Sequence, residues 1–238
     1  MRPLSELFAE AANRPGTSLP TRRGMLALAG AAASVPVIVG VESVFAQSAQ
    51  HSGKKAKDKR EDRREKKRDR NNRRDIAVLN YALTLEHLEF KFYRRGLARF
   101  DSTDFAGYDS DVRPNLVDIR DHELEHVEAL TATIRDLGGK PVKAADCYNF
   151  EDAFEDVDAF VETAQALEDT GVSAYTGALA KISSADLQTV GATIATVEAR
   201  HAAYLRDVNG NDPFPRAFDT PLSKGEVLDI AAPFFDCE

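Results

Sequence analysis

The sequence has 238 residues and a formal net charge of −8, and this value averages three segments of different charge. Residues 1–53 carry a net charge of +1, residues 54–74 carry +8 and residues 75–238 carry −17. A hydrophobic content of 43% excludes a wholly disordered chain, and two cysteines are too few for a disulfide-rich scaffold. This distribution indicates a basic segment attached to one acidic folded domain.

The first segment, residues 1–46, has the features of a signal peptide. Arg22 and Arg23 precede a weakly hydrophobic, alanine-rich run, and residues 44–46 form a small-x-small cleavage pattern. The pattern resembles a twin-arginine leader, which implies export of a folded protein by the Tat machinery to the periplasm or the cell exterior. The alternative is an uncleaved membrane anchor, but Pro36 interrupts the apolar run, which is also short for a membrane span.

Residues 47–74 are predicted to form a disordered basic linker. Residues 54–74 hold 13 lysines and arginines against five acidic residues and no aromatic residue. Such a segment cannot bury a core, so it is either a solvated tether or an exposed helix. If it has a partner, an anionic membrane or cell-wall surface suits an exported protein. The lack of aromatic side chains that stack on bases argues against a nucleic-acid partner.

Residues 75–238 are predicted to form an all-α domain. Apolar residues recur at steps of three and four residues over about 76–97, 116–137, 154–179 and 187–208, which indicates four amphipathic helices. No stretch alternates between apolar and polar residues for long enough to indicate a strand. Four long helices with these connections predict a four-helix bundle.

Capping residues support these helix boundaries. Ser184 is the predicted N-cap of the fourth helix, and Gly210 follows its end. Ser223 and Glu226 have the spacing of a capping box. This spacing predicts a short C-terminal helix over residues 224–231.

Ionisable residues interrupt the apolar faces of all four predicted helices. The six residues are Glu86, Glu123, His126, Glu168, Glu198 and His201. The second helix carries Glu123 and His126, and the fourth carries Glu198 and His201, each pair as Glu-x-x-His, which places both side chains on one helix face one turn apart. Burying unpaired carboxylates is very costly, so these residues require a shared counter-charge.

Two divalent metal ions would supply that counter-charge. One glutamate from each of two helices, together with Glu-x-x-His from each of the other two, is the ligand set of di-iron and di-manganese carboxylate bundles. We expect Glu123 and Glu198 to bridge the ions, and Glu86 and Glu168 to act as terminal carboxylates. Carboxylate and imidazole ligands suit both iron and manganese, so the sequence does not choose between them.

An internal repeat supports a pseudo-symmetric site. Aligning Glu86 with Glu168 also aligns Tyr93 with Tyr175, and each glutamate–tyrosine helix precedes a Glu-x-x-His helix. Tyr93 and Tyr175 lie two turns after their glutamates on the same face. They are either core tyrosines or side chains that bond to the ligands or carry redox chemistry.

A zinc protease motif competes with this interpretation. His122, Glu123 and His126 form H-E-x-x-H, in which two histidines bind zinc and the glutamate is the general base. The motif leaves Glu86, Glu168 and the second Glu-x-x-His unexplained, so we weigh it as a remote alternative. In the bundle, His122 is expected to be an exposed neighbour of the site or a partner of its ligands.

The stretches LNYALTLEHLEFKFY, IRDHELEHVEAL and VEARHAAYLR resemble helices of the ferritin-like superfamily. The resemblance is to exported bacterial and archaeal ferritin-like domain proteins and to plant desiccation-related proteins, and it covers about residues 75–235. It implies a ferritin-like bundle with a long crossover between the second and third helices, with the six residues above as metal ligands. From the predicted metal pair we expect an activity on oxygen, peroxide or ferrous iron in oxidative or desiccation stress, with a non-catalytic, metal-stabilised protective protein as the alternative.

The two cysteines lie outside the predicted metal-bearing faces. Cys147 precedes the third helix, and Cys237 is one residue from the C-terminus. In an oxidising compartment they could form a disulfide that holds the tail against the crossover, whereas in a reducing one they would remain free thiols.

Overall fold

The computed structural model describes residues 45–237, with side chains described from residue 59 onward. The helices are α1 (Phe45–Arg99), α2 (Val112–Asp136), α3 (Val157–Leu179), α4 (Ala185–Val208) and α5 (Lys224–Ala231), with short 3-10 turns at Asp104–Gly107, Asp152–Phe154 and Ala232–Phe235. No strand occurs within residues 45–237, and the predicted all-α fold class is confirmed. The predicted leader, with Arg22 and Arg23, lies outside the described residues except for its last two.

The basic segment differs from the disordered linker that the sequence predicted. In the structure its residues belong to α1, and the side chains of residues 59–70 are all exposed. Lysine, arginine and glutamate favour helix, and neither glycine nor proline occurs over residues 54–74. Lys66 pairs with Asp62 one turn earlier at 3.0 Å. The exposed helix, which the sequence left open, is therefore the form that the structure describes.

Four of the helices form an antiparallel bundle within residues 67–237. The start of α2 contacts the end of α1, where Arg113 of α2 donates a hydrogen bond to the Leu97 carbonyl of α1. The same turn of α2 also forms a hydrogen bond with the end of α4. The end of α4 contacts the start of α3 through Asn209 and Val161. Helix α3 in turn packs antiparallel to α1. The order around the bundle is therefore α1, α2, α4, α3.

A crossover of residues 137–156 connects α2 to α3, which run in the same direction. It follows the outer side of α1, where the Asn80 side chain bonds to the backbone of residues 140 and 142. Farther along, Arg95 donates to the Tyr148 carbonyl at 2.8 Å and Arg99 donates to the Phe154 carbonyl at 2.8 Å. This long connection is the one expected of a ferritin-like bundle.

The C-terminal segment closes over α3 and the crossover. Helix α5 begins with the predicted capping box of Ser223 and Glu226. Beyond it, the Asn149 amide donates to the Phe234 carbonyl at 2.9 Å, and Cys147 and Cys237 form a disulfide. The tail is thereby fixed to the crossover.

Two hydrophobic clusters fill the bundle, one toward each end. One contains Phe92, Phe150 and Phe160, and the other contains Leu83 and Ile134. Among helices of the described region, none is both long and apolar enough to cross a membrane. In α2 and α4 the Glu-x-x-His residues fall between positions of the two clusters. The bundle therefore places its ionisable residues midway along a water-excluding core.

Candidate metal centre

The structure brings all six predicted ionisable residues together. They form two groups of potential metal ligands, and within each group one ligand atom per residue lies within 4.8 Å of the others. The first group is Glu86, Glu123, His126 and Glu198, and the second is Glu123, Glu168, Glu198 and His201. The four glutamates are 0% exposed, and the histidines are 8% and 5% exposed. Glu123 and Glu198 belong to both groups, as expected of bridging ligands.

The two imidazoles point the same ring nitrogen into the cluster. Nδ1 of His126 lies 3.2 Å from oxygens of Glu86 and Glu123 and 3.1 Å from Glu198 Oε1. Nδ1 of His201 lies 3.2 Å from oxygens of both Glu123 and Glu168. Each Glu-x-x-His turn thus delivers its carboxylate and imidazole to one point in the core.

The two repeat-related tyrosines cross the bundle to reach the cluster. Tyr93 on α1 donates a 2.7 Å hydrogen bond to Glu168 on α3, while Tyr175 on α3 donates to Glu86 on α1. Both rings are buried. The hydroxyl groups therefore fix the two carboxylates that lie at the outer ends of the site, in the way that hydrogen bonds orient metal ligands.

Mutual repulsion and burial shift the protonation of the cluster. Burial, reinforced by the charge of Glu168, raises the pKa of Glu123 to about 7. Burial and the charges of Glu123 and Glu168 raise the pKa of Glu198 well above its usual range. Burial alone would lower the pKa of His201, but its contacts with Glu123 and Glu168 raise it to about 9. Without a metal ion, the cluster therefore holds protons to reduce its negative charge.

The donor set fits a pair of divalent cations. Three of the four oxygens of Glu123 and Glu198 accept no hydrogen bond within the described part of the chain. Imidazole nitrogens approach two of these oxygens at 3.1 and 3.2 Å, but without hydrogen-bond geometry. Buried carboxylate oxygens without donors are costly, and cations shared by the two groups would satisfy them. The residues could hold metal ions of the iron or manganese type.

The region of the sequence that contains these six residues also assigns the chain to a protein family. A family model described as a ferritin-like domain matches residues 74–211, more than half of the chain. The chain belongs to the ferritin-like family. The resemblance that the sequence suggested is thus confirmed for the ferritin-like domain, together with its fold.

Two individual proteins are similar to this ferritin-like chain. Protein rds1 of Schizosaccharomyces pombe is 28% identical over 162 residues, which cover 67% of this chain and 39% of rds1. The match thus spans about two fifths of that relative. A crystal structure of a conserved hypothetical protein, Rv2844 from Mycobacterium tuberculosis, has a TM-score of 0.52 at 20% identity, covering 62% of this chain and 99% of that one. At 20% identity, the similarity to Rv2844 concerns the fold alone.

A cavity of about 320 Å³ opens on the α2–α4 side of the ferritin-like domain. His126 and His201 line it, and Asp118, Glu125 and Arg200 supply charged groups to its walls. On the opposite side, between α1 and α3, the buried tyrosines close the site. The two histidines of the cluster therefore border an open cavity on this side of the bundle.

Two further histidines, His122 and His87, lie outside both ligand groups. His122 is exposed, and its Nδ1 lies 2.9 Å from Nε2 of His201. If His201 gives Nδ1 to a metal, its Nε2 carries the proton and donates to His122. His87 lies against the Val142 carbonyl on the crossover. His122 belongs to neither ligand group, whereas His126 belongs to the first, so the structure does not favour the H-E-x-x-H zinc site.

Sequence reasoning missed one acidic residue at this centre. Glu89 is only 4% exposed, whereas the neighbouring Phe90 is half-buried. The signal was present in the sequence, because Glu89 follows Glu86 by one turn and lies between Leu85 and Phe92 on an apolar stripe. The buried face of α1 is therefore wider than its single predicted stripe.

Proposed function

We propose that this chain is an exported dinuclear metal protein that acts on dioxygen, peroxide or ferrous iron, with iron or manganese as its resident metal, in oxidative or desiccation stress. The observation that supports the proposal is the sharing of Glu123 and Glu198 by two buried ligand groups. These residues would hold two ions in a core that excludes bulk water, where the ions could bind dioxygen or peroxide.

The residues around the pair have distinct tasks. The bound ions would supply two electrons together, which is the number needed to reduce one peroxide molecule to water. Tyr93 and Tyr175 hold Glu168 and Glu86 in place, so the outer carboxylates keep their orientation. The α2–α4 cavity admits a small oxidant to the side of the centre that carries His126 and His201.

Export is proposed from the leader and is compatible with the rest of the chain. Disulfides persist in oxidising compartments outside the cytoplasm, and Cys147 and Cys237 are joined in the structure. The exposed basic side chains of residues 59–70 suit an anionic membrane or cell-wall surface. Replacing Arg22 and Arg23 by lysine should retain the protein in the cytoplasm, which fractionation would show.

Turnover by the purified protein tests the catalytic part of the proposal. Protein loaded anaerobically with Fe²⁺ or Mn²⁺ is mixed with hydrogen peroxide or dioxygen and an excess of a chemical reductant, which returns two electrons to the oxidised centre after each turnover, and consumption is compared with that of Glu123→Ala protein. Multiple turnovers in the wild type alone are expected. Two bound ions without turnover would instead support the non-catalytic protective protein, in which the metals stabilise the bundle. One bound zinc ion with proteolysis would overturn both.

A further inference from the structure

Glu89 is a buried acid that the proposed ligand set does not use. Its side chain lies in the core of the bundle at 4% exposure. Within the described part of the chain it forms neither an ion pair nor a hydrogen bond, and it belongs to neither ligand group. A buried carboxylate without a partner carries a large desolvation cost, so it either takes up a proton or gains a compensating positive charge.

The position of Gly171 shows which way the Glu89 side chain faces. A Cβ atom added at Gly171 would lie 3.2 Å from Glu89 Oε1 and 3.3 Å from Glu198 Oε2. Glu89 and the bridging residue Glu198 therefore face the same small space, which exists because α3 has no side chain there. Glu198 Oε2 also accepts no hydrogen bond from the described residues.

The internal repeat shows that Glu89 occurs in only one of the two repeated helical hairpins. The alignment that pairs Glu86 with Glu168 pairs Glu89 with Gly171. A second carboxylate at position 171 would compete with Glu89 for one space. The two hairpins therefore share their other cluster residues but differ here, where one provides an acid and the other the room for it.

The surroundings of Glu89 contain negative charge from every helix of the bundle. Burial, followed by the charges of Glu198, Glu168, Glu123 and Glu86, raises the pKa of Glu89 well above its usual range. No lysine, arginine or histidine forms an ion pair with it in the described structure. The cations of the metal centre would therefore supply the positive charge that acts on this acid.

We propose that Glu89 is a fifth carboxylate of the centre, acting as an electrostatic partner that strengthens metal binding without being one of its six ligands. The inference rests on the proposed metal pair and deepens it. Four carboxylates neutralise two divalent ions, and Glu89 adds one further negative charge in a medium of low dielectric constant, where such a charge acts strongly. The centre is thereby biased toward tight binding.

Glu89→Gln tests this role because it removes the charge and preserves the shape. Mn²⁺ binding, followed by the EPR signal of the free ion, should weaken at least tenfold. The metal-free variant should melt at a higher temperature than the metal-free wild type, because one buried acid has been removed. A purely structural residue would not shift these two quantities in opposite directions. Glu162→Gln, an exposed acid on α3, is the matched control.

Glu89→Asp separates charge from shape. It keeps the negative charge and should bind Mn²⁺ within about threefold of the wild type. Unchanged affinity in Glu89→Gln, or an equal loss in Glu89→Asp and Glu89→Gln, would overturn the inference while leaving the metal pair in place. A wild-type chain that binds no metal would overturn the proposed function as well, so the two failures are distinguishable.

Discussion

At the scale of single residues, two tyrosine hydroxyl groups control the outer carboxylates of the centre. Tyr93 donates to Glu168 at 2.7 Å, and Tyr175 donates to Glu86. The bonds run in opposite directions across α1 and α3, so each half of the site is oriented by the other half. This reciprocity makes the two tyrosines comparable in a mutational test.

Tyr93→Phe and Tyr175→Phe should each weaken metal binding by about 10- to 100-fold, because a carboxylate ligand loses the donor that orients it. Titration with Mn²⁺ measures the effect, and helical content should not change. Tyr108→Phe is the matched control, since its hydroxyl donates at 2.7 Å to the exposed Asp158. Wild-type affinity in both variants would show that the hydroxyl groups serve only core packing.

Protonation of the cluster predicts an unusual pH dependence for the metal-free protein. The pKa of Glu123 rises from 4.5 to about 7 on folding, and that of His201 rises from 6.5 to about 9. A raised pKa in the folded state contributes stability at low pH, and this contribution is lost as the pH rises through the folded value. The metal-free protein should therefore lose stability between about pH 5 and pH 9.

Bound metal ions should reverse this loss of stability at rising pH, because they replace the protons of the cluster and bind more tightly as the ligands deprotonate. Thermal melts at several pH values, with and without Mn²⁺, test the prediction. The difference in melting temperature between the two forms should increase from about pH 5 to pH 9. A constant difference over this range would mean that the cluster does not exchange protons for metal.

At the scale of the helices, close packing of α1 against α3 sets the spacing of the site. A Cβ atom added at Gly96 would overlap the ring of Phe160, which is itself fully buried. Gly96→Ala should lower the free energy of unfolding by roughly 1–3 kcal/mol, because the ring cannot move without disturbing its neighbours. Denaturant titration measures this loss.

Gly107→Ala provides the control, because a Cβ atom at that position meets nothing within 4 Å. Its stability should lie within about 0.5 kcal/mol of the wild type. Equal stability of the two variants would show that α1 and α3 pack more loosely than the structure describes.

Helix positions could be predicted from the sequence because periodicity and capping are local signals. The short helix at 224–231 and the N-cap at Ser184 were both obtained in this way. The basic segment has no apolar stripe, so helix propensity alone had to indicate its structure, and the sequence left a tether and an exposed helix both open. The burial of Glu89 was missed, because it depends on Gly171, which lies 82 residues away.

At the scale of the whole domain, the disulfide joins distant parts of the chain. Cys147 on the crossover and Cys237 in the tail are separated by 90 residues. Replacing both by serine should lower the free energy of unfolding by about 2–5 kcal/mol, chiefly by releasing a constraint on the unfolded chain. Chemical denaturation measures the loss, which a reductant should reproduce in the wild type but not in the double variant.

Metal content should survive this substitution, since neither cysteine belongs to a ligand group. Loss of metal from the double variant would mean that the tail and crossover determine the geometry of the centre. A wild type that is indifferent to reductant would contradict the contribution of the disulfide to stability.

The central claim is that the bundle is built around two metal ions shared by four helices. Element analysis of protein reconstituted with Fe²⁺ or Mn²⁺, after removal of loosely bound ions, tests it most directly, with Glu86→Ala and Glu168→Ala measured alongside. Two ions per wild-type chain are expected, in keeping with the two ligand groups, and fewer in each variant. A wild type that retains no transition metal, or a Glu168→Ala variant with undiminished metal content, would contradict it.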